Sequence, residues 1–246
     1  MPDVTISADR HPLVGYLRHP RGDGPWPGVL VIHDVGGLNA DMRRIVDRLA
    51  FAGFLALAPN LYRPGARLRC VVSMSRAMTT GRGAPVDDLL MARNYLAADP
   101  RCTGKIGSVG FCLGGGFSLL LAPSGEFDAA APNYGNWPPN ADDLGHSCPI
   151  VASYGGKDRI LKGDAQRLTD ALQQGNVPHD VKEYPGVGHS FMNDWRQAPL
   201  RLRVFEYVNG FKYSEPESED AWDRITTFFH HHLREPRHDD EERRAP

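Results

Sequence analysis

Two kinds of apolar pattern take turns along this chain, and that alternation limits its fold more than any other feature. Gly28-Val29-Leu30-Val31-Ile32-His33 is short, β-branched and nearly continuously apolar, as a strand covered on both faces should be. Met42, Ile45, Val46 and Leu49 follow at helical spacing, and Gly53 closes that segment. Strands are expected again at 54–58, 106–110, 129–134, 150–154 and 180–184, and helices at 87–96, 114–121, 164–173 and 219–233. Asp87 and Asp88 suit the positive end of the second helix. The last helix carries Trp222, Ile225, Phe229 and Leu233 on one stripe. Repeated β-then-α order predicts the α/β class, a mostly parallel central sheet with helices on both faces.

With no internal repeat and no linker, residues 1–233 read as a single domain of the 246, and 41% hydrophobic content suits it. Residues 234–246 are almost all charged, with Pro236 and Pro246, and are expected to be disordered. Residues 63–85, rich in Arg and Gly, read as a connecting loop that lines or covers a site, and 193–217 is a second candidate cover. His230, His231 and His232 point in different directions on a helix and read as a solvated helix end.

Several partner classes are unexpected. Twenty-eight basic and 30 acidic residues leave a net charge of −2, which gives no electrostatic reason for nucleic acid to bind. The first residues lack the charged-then-apolar layout of a signal peptide, and no apolar stretch approaches membrane-spanning length. Cys70, Cys102, Cys112 and Cys148 show neither paired nor metal-like spacing, so free thiols in a reducing cytoplasm are expected.

The chemistry centres on Gly110-Phe111-Cys112-Leu113-Gly114-Gly115, directly after the strand that ends in Val109. Gly-x-nucleophile-x-Gly at a strand-to-helix junction is a nucleophile elbow, here with cysteine in the usual place of serine. Side chains at the flanking glycines would collide with strand and helix. The turn lifts the sulfur above the sheet and sets it at a helix N-terminus, whose positive end favours thiolate.

Two partners follow in the α/β-hydrolase order of nucleophile, acid, histidine. The strand at 150–154 runs into Gly155-Gly156-Lys157-Asp158, and the strand at 180–184 runs into Pro185-Gly186-Val187-Gly188-His189-Ser190-Phe191. Both side chains fall at carboxyl ends of parallel strands, where active-site groups gather. His189 would exchange protons with Cys112 and with leaving group and water, while Asp158 would fix its tautomer. Taken singly, Asp158 is an ordinary capping carboxylate and His189 an ordinary loop residue. At the first buried strand's end, His33-Asp34-Val35-Gly36-Gly37 offers backbone N–H groups. Val35 and Leu113 are assigned as the oxyanion-hole donors. Asp34 reads either as a thiol-activating carboxylate or as a turn residue.

These residues resemble the dienelactone hydrolase family of α/β-hydrolases, through 110–115, 155–158, Gly188-His189-Ser190-Phe191 and the Asp-Leu-Tyr-like Asn60-Leu61-Tyr62. The resemblance implies a Cys112–His189–Asp158 triad that opens small esters or lactones through an acyl-thiol intermediate, with no metal or organic cofactor. It also implies a glutamate near the thiol, for which this chain has the shorter Asp34. It further implies an arginine shortly after the histidine, where this chain has Asn193. Arg196 is the candidate replacement for binding a substrate carboxylate; Arg63, Arg67, Arg69 and Arg76 read as solvated. Tyr134 and Trp137 are candidate walls of an acyl pocket, with core packing the alternative for Tyr134. Two other readings stay open: a general short-chain carboxylesterase or acyltransferase, and a non-catalytic thiol protein that senses redox state or binds a ligand on the same fold.

Overall fold

The computed structural model describes residues 3–6, 12–194 and 212–233. Arg196, the charged tail and most of 193–217 lie outside the described residues. The expected parallel strands appear as β3 (Trp26–Ile32), β4 (Leu55–Pro59), β5 (Cys102–Phe111), β6 (Ala129–Asn133), β7 (Ile150–Gly155) and β8 (His179–Tyr184). Two strands not anticipated, β1 (Asp3–Ile6) and β2 (Leu13–Arg18), pair antiparallel with each other, and β2 pairs antiparallel with β4. The eight-stranded sheet runs β1-β2-β4-β3-β5-β6-β7-β8, parallel from β4 to β8.

Helices cover both faces, which is why the central strands are mostly apolar. Under α1 (Ala40–Phe51) and α6 (Glu215–His232), Met42, Val46, Leu49, Trp222, Ile225 and Phe229 join one core cluster. Under α2 (Arg67–Thr80) and α3 (Ala84–Ala97), Met74, Met78, Leu89 and Leu96 join the other. Helices α4 (Leu113–Leu121) and α5 (Asp164–Gln174) complete the layers. Asn39 caps α1, its side chain accepting from the Met42 N–H at 3.0 Å.

Segment 63–85 is corrected from loop to helix over most of its length. Its arginines are exposed and hide the stripe Met74, Ala77 and Met78, which is buried, while Gly81 ends α2 in the left-handed conformation. His230 is also less solvated than expected, since its ring stacks on Phe54 at 4.6 Å. The four cysteines are free thiols. Among the described residues, no helix is long and apolar enough to cross a membrane.

Candidate active site

Five parallel strands each deliver a side chain to the carboxyl edge of the sheet: Asp34 after β3, Cys112 after β5, Tyr134 after β6, Asp158 after β7 and His189 after β8. The tightest turn is at Cys112, whose backbone has φ 54° and ψ −117°. A non-glycine residue rarely adopts positive φ, and the turn around it is packed too closely for side chains at the flanking glycines. A Cβ on Gly110 would lie 2.0 Å from the Gly114 carbonyl oxygen, and one on Gly114 would lie 2.2 Å from Ile32 O of β3. The Cys112 N–H donates to Asn133 O at 3.1 Å, and Gly116 N–H to Cys112 O at 3.0 Å. Leu113, the first residue of α4, therefore presents an N–H with no intrahelical acceptor.

His189 and Asp158 are both buried and share a 2.6 Å hydrogen bond between Nδ1 and Oδ2. Asp158 Oδ1 accepts from the Ile160 N–H at 2.9 Å, so both carboxylate oxygens are engaged. This leaves Nε2 of His189 for the Cys112 side, and the thiol lies near enough to the imidazole to affect its titration. Burial pushes the His189 pKa down, but Asp158 and the Cys112 thiol reverse it and hold it up at about 9. Burial likewise pushes Asp158 up, and the His189 bond together with the Ile160 and Leu161 N–H groups brings it below the usual carboxylate range. The structure thus brings the three sequence-predicted residues into one contiguous chain.

Asp34 is buried, with Oδ1 accepting from the Gly36 N–H at 2.6 Å. Its Oδ2 has no partner among the described residues, and burial pushes the carboxyl up to about 7. Val35 is exposed, and its carbonyl takes hydrogen bonds from Tyr62 Oη and Arg67 Nη2, each at 3.0 Å. Arg67, expected to be merely solvated, also donates to Gly36 O at 3.3 Å and lies over the Tyr62 ring.

The two candidate pocket walls have different surroundings. Tyr134 is wholly buried, its ring edge-on to His189 at 5.3 Å, and its hydroxyl donates to Asn193 Oδ1 at 2.6 Å. It supports the imidazole from behind. Trp137 lies under the Arg167 guanidinium, 4.0 Å from the ring centre, beside a cavity of about 510 Å³ that also touches Asp142 and Asp170. Sequence reasoning gave no role to His33, Tyr62 or Asp41. His33 was visible as a lone histidine ending an apolar strand; the partners of Tyr62 and Asp41 lie far away in sequence.

The sequence pattern of the dienelactone hydrolase family matches residues 13–233. The chain belongs to the dienelactone hydrolase family. Protein usf of Aquifex pyrophilus is 30% identical, over 89% of this chain and 93% of that protein. A Synechocystis protein provisionally named carboxymethylenebutenolidase is 27% identical, over 94% of this chain and 96% of its own. Among solved structures, a dienelactone hydrolase-like promiscuous phosphotriesterase from metagenomic libraries superposes with a TM-score of 0.79 at 24% identity, covering 94% of this chain and 98% of that one. That likeness speaks to the fold. The family places the chain among hydrolases of the α/β-hydrolase fold, in agreement with the mostly parallel sheet.

Proposed function

We propose that this family member hydrolyses small esters or lactones with Cys112 as nucleophile, His189 as the proton-transferring group and Asp158 as its orienting carboxylate. One observation carries the reading: a strained cysteine at a helix N-terminus stands beside an imidazole that a buried carboxylate holds at 2.6 Å. In the proposed cycle the Cys112 thiolate adds to the carbonyl carbon, and the oxyanion is held by the Val35 and Leu113 N–H groups. Collapse breaks the C–O bond, and His189 gives its proton to the leaving alkoxide, which in a lactone stays tethered to the acyl chain. His189 then takes a proton from water as the hydroxide attacks the thioester. Breakdown of that second adduct frees the acid, and the thiolate is restored beside imidazolium. Asp34 is the carboxylate candidate for tuning the thiol. The four unpaired thiols fit a reducing compartment, and cytoplasmic residence is part of this reading.

The substrate reading favours compounds whose recognition needs no carboxylate clamp at position 193. Asn193 is buried, and its amide is committed to Tyr134 and Asp41. The deciding experiment is hydrolysis of a short activated ester and of a dienelactone by wild type and Cys112→Ala. Ester turnover lost in the variant supports the nucleophile, and dienelactone turnover as well extends the reading to that substrate. Equal background rates from both proteins on every ester and lactone would sink it and favour the thiol-sensing alternative.

A further inference from the structure

An oxyanion donor is useful only if its N–H is aimed before the substrate arrives. We propose that His33 is the positioning residue that aims the Val35 N–H, by fixing the peptide between Asp34 and Val35. This rests on the reading of Cys112 as nucleophile. In a trans peptide the carbonyl and the following N–H point in opposite directions. The Asp34 carbonyl takes two hydrogen bonds, from His33 Nδ1 at 2.7 Å and from the Gly37 N–H at 3.1 Å. The Val35 N–H is therefore turned away from both, and no acceptor among the described residues takes it.

The next peptide is fixed as firmly. Its carbonyl, Val35 O, is held by Tyr62 and Arg67, and its N–H, on Gly36, is held by Asp34 Oδ1. Both planes flanking the Val35 Cα are thus set by protein groups rather than by solvent. His33 is suited to the task because its tautomer is defined. The Leu61 N–H donates to Nε2 at 3.1 Å, so the ring proton sits on Nδ1, facing the Asp34 carbonyl. Complete burial holds the imidazole pKa down at about 4, so a second ring proton does not disturb this arrangement near neutrality. The same bond to Leu61 fixes the segment carrying Tyr62, whose ring meets His33 edge-on at 5.0 Å. One imidazole thereby sets one peptide directly and places the residue that holds the other.

The two hydrogen bonds of His33 can be separated by substitution. The amide nitrogen of His33→Asn reaches the Nδ1 position; the amide of His33→Gln reaches the far edge of the ring; His33→Phe keeps the ring shape and neither bond. Each protein is assayed on an unactivated short ester, and Cys112 is alkylated in parallel with iodoacetamide, a displacement at a saturated carbon that forms no oxyanion. Gln and Phe are expected to lower kcat by about 10²-fold, with KM and alkylation within about twofold of wild type, while Asn recovers most of the loss. Asn as poor as Phe, or alkylation falling in step with kcat, would overturn the proposal and leave His33 a packing residue. If the buried variants do not fold, Tyr62→Phe tests the same pinning from a half-buried position. A several-fold fall in kcat with unchanged alkylation supports it, and an unchanged kcat overturns it. Failure of the nucleophile reading is distinct, because wild type and Cys112→Ala would then hydrolyse the ester equally.

Discussion

Asn193 Nδ2 donates to Asp41 Oδ2 across 3.0 Å, and so ties the loop that carries His189 to the first turn of α1. The same amide accepts from Tyr134 Oη, so a polar chain of three buried or largely buried side chains runs behind the imidazole. Asp41 feels this burial, which pushes its carboxyl up against the opposing pull of Asn193 and Arg44. The His189 loop is thereby held by α1 as well as by β8.

Tyr134→Phe removes one donor and strands the buried Asn193 Oδ1. The expected cost is about 1–3 kcal/mol of stability, seen as a lower urea midpoint at unchanged slope. An unchanged midpoint would show that the hydroxyl carries no such weight.

The raised His189 pKa makes a prediction about alkaline pH. The protonated imidazole is stabilised in the folded protein, so its capacity to give a proton to a leaving alkoxide is lost as pH rises through about 9. With an unactivated ester, kcat/KM should fall on that limb. Asp158→Asn removes a carboxylate that raises the pKa, so the limb should move to lower pH and kcat should fall by about 10³–10⁴-fold. A limb that stays in place would mean another group titrates there.

Asp34 should leave its mark on stability. Its folded pKa of about 7 lies above the ordinary 3.8, so the folded state binds the extra proton between those values. Stability from this group therefore declines as pH rises across that window, by an amount on the order of a few kcal/mol. Asp34→Asn should flatten the slope relative to wild type in urea unfolding at a series of pH values. Parallel curves for the two proteins would refute the assignment.

The elbow glycines should be intolerant in proportion to what they face. Gly114→Ala places a methyl 2.2 Å from Ile32 O and 2.7 Å from His33 O, both backbone atoms, and should abolish folding or Cys112 reactivity. Gly65→Ala meets nothing within 4 Å but sits at φ +70°, so it should cost only about 1–2 kcal/mol. Equal Tm values for the two variants would contradict the steric account.

The inner parallel strands were readable because they are buried on both faces and therefore largely apolar, as Val29 to Ile32 show, while the edge strand β8 has only Val181 and Tyr184 to mark it. Cys112, Asp158 and His189 were readable because each stands just past a strand among small residues. Helix α2 was not, since its three buried residues are few beside exposed Arg67, Arg69 and Arg76, and Leu68 and Val72 are exposed as well. The edge pair β1 and β2 is short, and its apolar residues are separated by Thr5 in β1 and Gly15 in β2. Asn193 and Asp41 were invisible as partners because they meet across the fold, and no local spacing records such a contact.

The elbow is wedged between two strands, Gly114 against the β3 carbonyls and Gly115 against Asn133 O of β6. A second wedge presses Gly155 of β7 onto Gly188 O beside His189, where Lys157 N–H also binds Val187 O. Mechanically the site is thus two stiff blocks, one bearing the thiol and the other bearing the acid and the imidazole. Within each block the spacing is set by backbone touching backbone. Tyr134 bolts the two together, its N–H on Ser153 O of β7 and its hydroxyl on Asn193, so the gap between sulfur and imidazole is gauged by the frame and not by the two side chains that face it.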